Sequence, residues 1–167
     1  MEPTGNFKTY DKRHLFRMAG EDNTFTPGEK LLIAEWQGWK ICPLVCYDLR
    51  FPVWSRNVFN KKTKEPAYDV LIYVANWPAA RSNHWQVLLK ARAIENLSYV
   101  VGVNRVGADG KGVAYNGNTE VISPTGELLY EAENAVETNT TVLSADSLQV
   151  WRSKFPAYFD GDDFELR

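Results

Sequence analysis

The chain has 167 residues, enough for one domain that buries a substantial core without disulfide bonds or a metal. Hydrophobic residues make up 44% of it and charged residues 24%, which is typical of globular proteins and excludes an intrinsically disordered one. The formal net charge of -2 gives no electrostatic case for binding nucleic acid. We therefore expect a single domain over residues 1–167 whose partners are small molecules or proteins.

Cysteine content and hydropathy bear on the compartment. Cys42 and Cys46 are the two cysteines, too few for a disulfide scaffold, so a reducing cytoplasm is the simplest expectation. The sequence shows neither a signal-peptide pattern nor a run of about 18 apolar residues. We therefore expect neither secretion nor insertion into a membrane.

The first third of the chain is predicted to be mostly extended. Its predicted elements are, in chain order, a short strand over residues 7–10, a loop over residues 20–30, and a hairpin of strands 31–36 and 39–45 around Gln37 and Gly38. Pro43 lies inside the second strand of this hairpin. Because proline cannot donate to a strand ladder, Pro43 predicts a free edge or a bulge at that point.

The middle of the chain alternates apolar runs with helical patterns. Its predicted elements are a helix over residues 51–60, a buried strand over residues 69–75, a helix from about Ser82, as N-cap, to Asn96, and a buried strand over residues 98–104. This alternation of strands with helices predicts an α/β fold.

The last third is predicted to change to antiparallel strands. Its predicted elements are a turn over residues 107–112, strands over residues 118–123, 127–131 and 140–145, and an aperiodic tail over residues 155–167. We expect the tail to wrap a surface of this protein or of a partner.

Cys46 is the strongest candidate for chemistry. An apolar run ends abruptly at this thiol, and charged residues in a helix-compatible stretch follow it. A strand that stops at Cys46 and turns into a helix places the sulfur at the carboxyl end of the strand, where open α/β sheets bind ligands. A helix amino terminus also favours thiolate over thiol. The pattern therefore predicts an exposed nucleophile.

Cysteine and histidine also suggest zinc as an alternative. Besides Cys46, the conventional soft ligands are Cys42, His14 and His84. Four residues of a strand span about 13 Å, too far for one metal to bind both thiolates, so no metal site is expected. A cysteine–histidine dyad stays open without a local signature, and His84 is expected to be a capping or core-edge residue. Lys12 is the better partner, since an ammonium lowers the pKa of a nearby thiol and stabilises an oxyanion.

Several motifs together resemble the nitrilase superfamily of carbon–nitrogen hydrolases. YDKRHLF at residues 10–16 resembles the family's lysine motif and VCYDLRFP at 45–52 its nucleophile motif, while ARAIEN at 91–96 and SPTGE at 123–127 match family landmarks in the same order. NWP at 76–78, NHW at 83–85 and the Phe155-Pro156 pair are similar to the bacterial ω-amidase branch. The resemblance implies an α/β fold that is the carboxyl-terminal portion of a four-layer α/β/β/α sandwich, with no cofactor.

The resemblance also implies the roles of the catalytic residues. It makes Cys46 the nucleophile and Lys12 the oxyanion stabiliser. Glu21 stands where the family has a second, supporting glutamate, which orients Lys12 or a substrate amine. The backbone N–H of Tyr47 completes the oxyanion hole.

The substrate implied by this branch is the terminal amide of a small ω-amidodicarboxylate, such as 2-oxoglutaramate. We therefore expect a thiol amidohydrolase that acts through a Cys thioester, with an N-carbamoyl compound as the alternative substrate. Asn76, Trp77 and Arg81 are the candidate substrate-binding residues, and Arg81 is chosen because a guanidinium pairs with a carboxylate. Family members commonly pair through helices and carboxyl-terminal tails, so the resemblance implies a homodimer.

The general base is the point at which the sequence departs from the family pattern. The family takes this base from a glutamate in a segment before the lysine motif. Glu2 is the one glutamate there, and its EPTG setting does not match the base motif. The chain therefore looks like the carboxyl-terminal part of the family domain, and we expect it to leave apolar surface uncovered. A catalytically silent homologue with a binding or assembly role is the rival hypothesis.

Overall fold

The computed structural model describes residues 4–60, 62–63, 65–162 and 164, which form a mixed α/β fold as predicted. Within these residues the strands and helices are β1 (Ala34–Trp36), β2 (Trp39–Val45), β3 (Phe59–Asn60), β4 (Glu65–Pro66), β5 (Val70–Ala75), α1 (Ser82–Asn96), β6 (Tyr99–Asn104), β7 (Val106–Ala108), β8 (Ala114–Ile122), β9 (Leu128–Glu133) and α2 (Ala145–Lys154). Short 3-10 helices cover Arg17–Ala19, Glu21–Asn23, Cys46–Arg50, Ala79–Arg81 and Ala157–Asp160.

One sheet carries most of the strands. Its order is β1-β2-β5-β6-β8-β7, and β9 also pairs with β8. The central strands β2, β5 and β6 are parallel, whereas β1, β7, β8 and β9 pair antiparallel to their neighbours. The carboxyl ends of the three parallel strands therefore meet at one edge of the sheet, the usual place for a ligand in α/β proteins.

The predicted hairpin is confirmed. β1 and β2 pair from Ala34 with Ile41 to Trp36 with Trp39. The two turn residues, Gln37 and Gly38, both have positive φ, 47° and 83°, as a tight two-residue turn between strands requires.

The prediction for Pro43 is confirmed as a free edge. On one side Pro43 aligns with Ile72 of β5. On the other side the pairing with β1 ends at Ile41, two residues earlier. The missing N–H of the proline therefore leaves no gap in the β1 ladder.

The core lies mainly between α1 and one face of the sheet. Trp85, Leu89 and Ala93 of α1 are fully buried there, against Gly102 of β6 and its neighbours. On the opposite face, Leu148 of α2 packs with residues near the amino ends of the strands.

The carboxyl ends of the same face remain open to solvent. Val74 is 51% exposed and Val103 is 44% exposed, although both belong to central strands. This apolar surface agrees with the expectation from the sequence. No helix within the described residues is long and apolar enough to cross a membrane.

The helix predicted over residues 51–60 is wrong. The segment forms turns and then β3, and Asn57 explains why. Its side-chain amide donates to the carbonyls of Tyr68 and Asn96 (2.9 and 3.1 Å), and its Oδ1 accepts from the N–H of Tyr68 (3.1 Å). These tertiary bonds hold Asn57 in a conformation that a continuous helix does not allow.

Other local predictions are also wrong. Residues 7–10, all described, form no strand, and Tyr10 is instead held by the bond of its hydroxyl to the buried Asp48 side chain. Residues 140–144 likewise form no strand, and β7 occupies part of the predicted turn at 107–112. Ser82 is the first residue of α1 and contacts Ala79 O and Asn116 Oδ1, so it is not the N-cap.

Candidate active site

Cys46 lies where the sequence predicted, at the carboxyl end of a central strand. It follows β2 directly and is the first residue of a 3-10 helix. Its φ of 47° is in the left-handed region, which costs roughly 1–2 kcal/mol for a residue other than glycine and is found at functional sites. The Sγ atom is 3.9 Å from the carbonyl oxygen of Asn76, the residue after β5.

Lys12 and Glu21 form an ion pair beside this cysteine. Lys12 Nζ donates to Glu21 Oε2 at 2.5 Å, and the same oxygen accepts the backbone N–H of Phe16 (2.9 Å). Both side chains are only partly exposed. The Glu21 carboxylate thus holds the Lys12 ammonium and the Phe16 backbone through one oxygen.

The ionisation of Cys46 differs from the prediction. Burial raises the pKa of the thiol, while the Lys12 ammonium and a hydrogen bond with the backbone of Asn76 oppose that rise and the Glu21 and Asp48 carboxylates add to it. The net pKa is above its ordinary value, because burial outweighs the influence of the Lys12 ammonium. The thiol therefore needs a proton acceptor before it can attack.

A buried carboxylate behind the cysteine was missed by the sequence analysis. Asp48 has no exposed surface and accepts hydrogen bonds from Tyr10, His14 and Val45. Asp48 and its three partners all lie in the two motif segments, and that position was the one signal in the sequence for a role of Asp48. The residue types alone did not indicate that role.

The seven candidate residues line one cleft of about 1040 Å³. They are Lys12, Glu21, Cys46, Tyr47, Asn76, Trp77 and Arg81. Tyr47 is the second residue of its 3-10 helix, so its N–H has no intrahelical acceptor. Trp77 is buried, and its indole Nε1 donates to Arg81 O (2.8 Å), so it forms a fixed wall of the cleft.

Arg50 is a further cation in the cleft that the sequence analysis did not single out. Its guanidinium lies 4.9 Å from the ring centre of Trp77, and Nη2 donates to His84 Nδ1 at 3.0 Å. His84 is exposed and holds Arg50, which differs from the predicted capping or core-edge role. Arg81 also lines the cleft, and its guanidinium carbon lies 5.7 Å from the ring centre of Phe16.

Cations outnumber acids in the cleft lining. The ionic residues are Lys12, Arg50, Arg81 and Lys111 against Glu21 and Asp109. Glu21 is paired with Lys12, and Asp109 accepts the hydroxyl of Tyr115 (3.0 Å) as well as backbone N–H groups. The cleft therefore favours an anionic ligand. Across the described part of the chain, no three side chains of the metal-binding types come together, and Glu2 lies outside that part.

Comparison with known sequences gives a consistent family. Residues 1–153 match the family model described as carbon–nitrogen hydrolase. The chain is 53% identical over 167 residues to omega-amidase YafV of Escherichia coli (strain K12), which covers 99% of this chain and 62% of that protein. It is 35% identical over 165 residues to 2-oxoglutaramate amidase of Paenarthrobacter nicotinovorans, covering 95% of this chain and 54% of that protein.

A solved structure is similar throughout the chain. XC1258 of Xanthomonas campestris, a CN-hydrolase superfamily protein with an arsenic adduct in its active site, matches with a TM-score of 0.96 at 46% identity, over 99% of this chain and 63% of that one. The chain thus spans 62% of the length of the E. coli omega-amidase that it matches. The resemblance to the nitrilase superfamily and to its omega-amidase branch is confirmed. The chain belongs to the carbon–nitrogen hydrolase family.

Proposed function

We propose that this chain carries the nucleophile of a thiol amidohydrolase that converts a small ω-amidodicarboxylate, such as 2-oxoglutaramate, to the dicarboxylate and ammonia. The observation that carries the proposal is the strained Cys46 at a strand end, in one cleft with the Lys12–Glu21 ion pair. The similarity to proteins named omega-amidase and 2-oxoglutaramate amidase supports the substrate class.

In the first half of the proposed reaction Cys46 becomes acylated. The thiolate attacks the amide carbonyl carbon and forms a C–S bond, and the carbonyl π electrons move to oxygen. Lys12 Nζ and the Tyr47 N–H stabilise this oxyanion. When it collapses, the C–N bond breaks, and the proton taken from the thiol leaves with the nitrogen as ammonia.

In the second half water hydrolyses the thioester. Attack of water forms a second oxyanion at the same place, so Lys12 and the Tyr47 N–H act twice. Collapse breaks the C–S bond and returns the thiol and a carboxylic acid. Because Glu21 is occupied by Lys12, the proton acceptor has to be a further group, and the family resemblance assigns it to a glutamate ahead of the lysine motif, where Glu2 is the one glutamate of this chain.

The charge of the cleft supports an acidic amide over a neutral one. An ω-amidodicarboxylate carries a carboxylate at the end away from the reacting amide. Arg81 is the proposed partner of that carboxylate, since the described residues supply it with a ring contact but no ion pair. An N-carbamoyl compound that carries a carboxylate fits the same charge and stays the alternative substrate.

Ammonia release tests the proposal. The unaltered chain and Cys46→Ala are each incubated with 2-oxoglutaramate and with succinamate, and ammonia is measured over time. We expect release by the unaltered chain alone, because alanine offers no nucleophile for the acyl transfer. If both chains release equal amounts, the hydrolase assignment fails for this polypeptide. The silent homologue with a binding role, which the open apolar surface at Val74 and Val103 favours, then takes its place.

We also propose a cytoplasmic homodimer. The family resemblance supports pairing, and so do two apolar side chains of α1, Val87 (58% exposed) and Ile94 (49% exposed), which lie seven residues apart on one face of the helix. Light scattering of the purified chain tests the dimer. A monomer at all concentrations contradicts it.

A further inference from the structure

One carboxylate contacts both segments of the candidate active site. Asp48 is the third residue of the 3-10 helix that begins at Cys46, and it has no exposed surface. Its Oδ2 accepts the N–H of Val45 (3.1 Å) and the hydroxyl of Tyr10 (2.9 Å). Its Oδ1 accepts the N–H of His14 (2.9 Å) and lies 2.8 Å from Nδ1 of the same residue.

These bonds hold the segments that carry the two reacting groups. Val45 immediately precedes Cys46, so its bond to Asp48 stabilises the turn in which Cys46 has positive φ. Tyr10 and His14 stand two residues before and two residues after Lys12, so their bonds fix the Lys12 backbone from both sides. The carboxylate thereby connects parts of the chain that are 34 and 38 residues apart.

We propose that Asp48 is a positioning residue that holds the Cys46 sulfur and the Lys12 ammonium in register with each other. The inference rests on the proposed roles of Cys46 and Lys12. Asp48 itself does not belong to the cleft lining, so it acts through these two residues and not on a substrate.

An amide at this position does not reproduce the four bonds. Two of the donors, the backbone N–H groups of Val45 and His14, point at different oxygens of Asp48 and cannot become acceptors. In Asp48→Asn, either orientation of the amide therefore places its NH2 group opposite one of these two N–H groups, so that two donors face each other. The variant keeps the size of the side chain but releases one of the two segments.

The charge and the geometry of Asp48 affect Cys46 in opposite directions. The negative charge of Asp48 raises the pKa of the Cys46 thiol, while the Lys12 ammonium lowers it. If Asp48 acted only through its charge, Asp48→Asn would lower the thiol pKa and make Cys46 more reactive. If Asp48 positions Lys12, the same variant loses the influence of Lys12 and Cys46 becomes less reactive.

Alkylation by iodoacetamide separates these outcomes without any turnover. The rate at the Cys46 peptide is followed by mass spectrometry between about pH 6 and 10 in the full chain, since the thiolate is the reacting form. We expect Asp48→Asn to react about tenfold more slowly than the unaltered chain at neutral pH. An unchanged or faster rate overturns the proposal.

Two further variants distinguish a specific effect on Cys46 from a general loss of stability. Asp69→Asn alters another carboxylate, which binds Arg152 just before β5, at the opposite end of the sheet from Cys46. We expect it to lower the unfolding temperature but to leave the alkylation rate of Cys46 within about twofold, as for independent sites. A drop equal to that of Asp48→Asn means that Asp48 has a merely structural role.

If Asp48→Asn does not fold, Tyr10→Phe provides the milder change. It keeps the ring and removes the hydroxyl, which donates to Asp48 and also accepts the indole N–H of Trp54 (2.9 Å) and the backbone N–H of Arg13 (3.4 Å). We expect slower alkylation of Cys46 than in the unaltered chain, and an unchanged rate overturns the proposal. A chain that releases no ammonia but responds in this way refutes the proposed hydrolysis and leaves the positioning role of Asp48 in place.

Discussion

Cys46 loses part of its hydration on burial, and a buried thiolate is less stable than a buried thiol. The Lys12 ammonium acts against this effect, whereas the Glu21 carboxylate that holds the ammonium in place adds to it. Reactivity of the thiol at neutral pH therefore depends on one opposing charge.

The first prediction concerns the loss of the Lys12 charge. In Lys12→Met the pKa of Cys46 rises further, so less thiolate is present at any pH below it. We expect alkylation by iodoacetamide at neutral pH to slow by roughly three- to tenfold. In the unaltered chain the pKa is already raised, so the rate should keep increasing up to at least the ordinary thiol pKa of about 8.5. Lys40→Met removes a partly exposed lysine paired with Glu65 and is the matched control. An equal effect there contradicts the prediction.

Arg81 gives the second prediction at the residue scale. If its guanidinium binds the distal carboxylate, Arg81→Met should raise KM for succinamate by about tenfold or more and leave KM for a neutral amide such as butyramide nearly unchanged. Steady-state ammonia release with both substrates measures the difference. Arg17→Met, at an arginine that is 86% exposed and outside the cleft lining, is the control. An equal rise for both substrates removes Arg81 from carboxylate binding.

Among the elements, the contact of α1 with β6 determines how closely the helix approaches the sheet. A Cβ atom on Gly102 would be 2.4 Å from Leu89 Cδ1 and 2.8 Å from Trp85 Cζ2. Both neighbours are fully buried and have no room to move. The glycine is therefore required by packing, since its φ is not among the positive values.

Substitution of this glycine tests the packing. We expect Gly102→Ala to lower the free energy of unfolding by about 1–3 kcal/mol, because a methyl group is forced into a filled core. Urea denaturation followed by circular dichroism measures it. Gly110→Ala introduces the same methyl group where no atom lies within 4 Å, and should change stability by less than about 0.5 kcal/mol. Similar losses in the two variants contradict the packing argument.

Some secondary-structure elements were predictable from the sequence and others were not. β5 and α1 have local signals, an apolar run and helical spacing, and both were predicted nearly to the residue. α2 was missed, although Ser144 Oγ accepts the N–H of Ser147 (3.1 Å) as an N-cap does. Of its apolar residues Leu148 is buried whereas Val150 is 66% exposed, so the apolar positions of this short helix do not mark one core face. The turn around Asn57 depends on bonds to the side chain of Asn96 and to the backbone of Tyr68, which no local pattern reveals.

The candidate site was predictable to a different degree. Cys46 was singled out from its place at the end of an apolar run and Lys12 as its cationic partner, and the motif resemblance then assigned their roles. The fold brings both residues into one cleft. Asp48 and Arg50 lie in the same nucleophile motif but received no role, because their partners, His14 and His84, become neighbours only after folding. Residues that act through other residues leave little trace in a single sequence.

At the scale of the whole molecule, Arg152 joins segments that are far apart in the chain. It lies in α2 and is 3% exposed. Its Nε donates to Leu97 O (2.9 Å), Nη1 to Asp69 Oδ1 (2.5 Å) and Nη2 to Tyr68 O (2.8 Å). The guanidinium thus ties α2 to the end of α1 and to the start of β5, with its three nitrogens all donating.

Loss of this guanidinium should affect the entire fold. In Arg152→Met the Asp69 carboxylate loses its buried partner and two backbone carbonyls lose their donors, so we expect the free energy of unfolding to fall by about 3–5 kcal/mol. Urea denaturation measures the loss, and Arg17→Met, which removes only an exposed contact of 3.9 Å to Asp22, should stay within about 0.5 kcal/mol of the unaltered chain. A double-mutant cycle of Arg152→Met and Asp69→Asn isolates the free energy of the ion pair. When Arg152 is replaced, Asp69 still accepts the N–H of Lys40 (3.1 Å). If Arg152→Met is as stable as Arg17→Met, α2 is held to the sheet by its apolar contact at Leu148 instead.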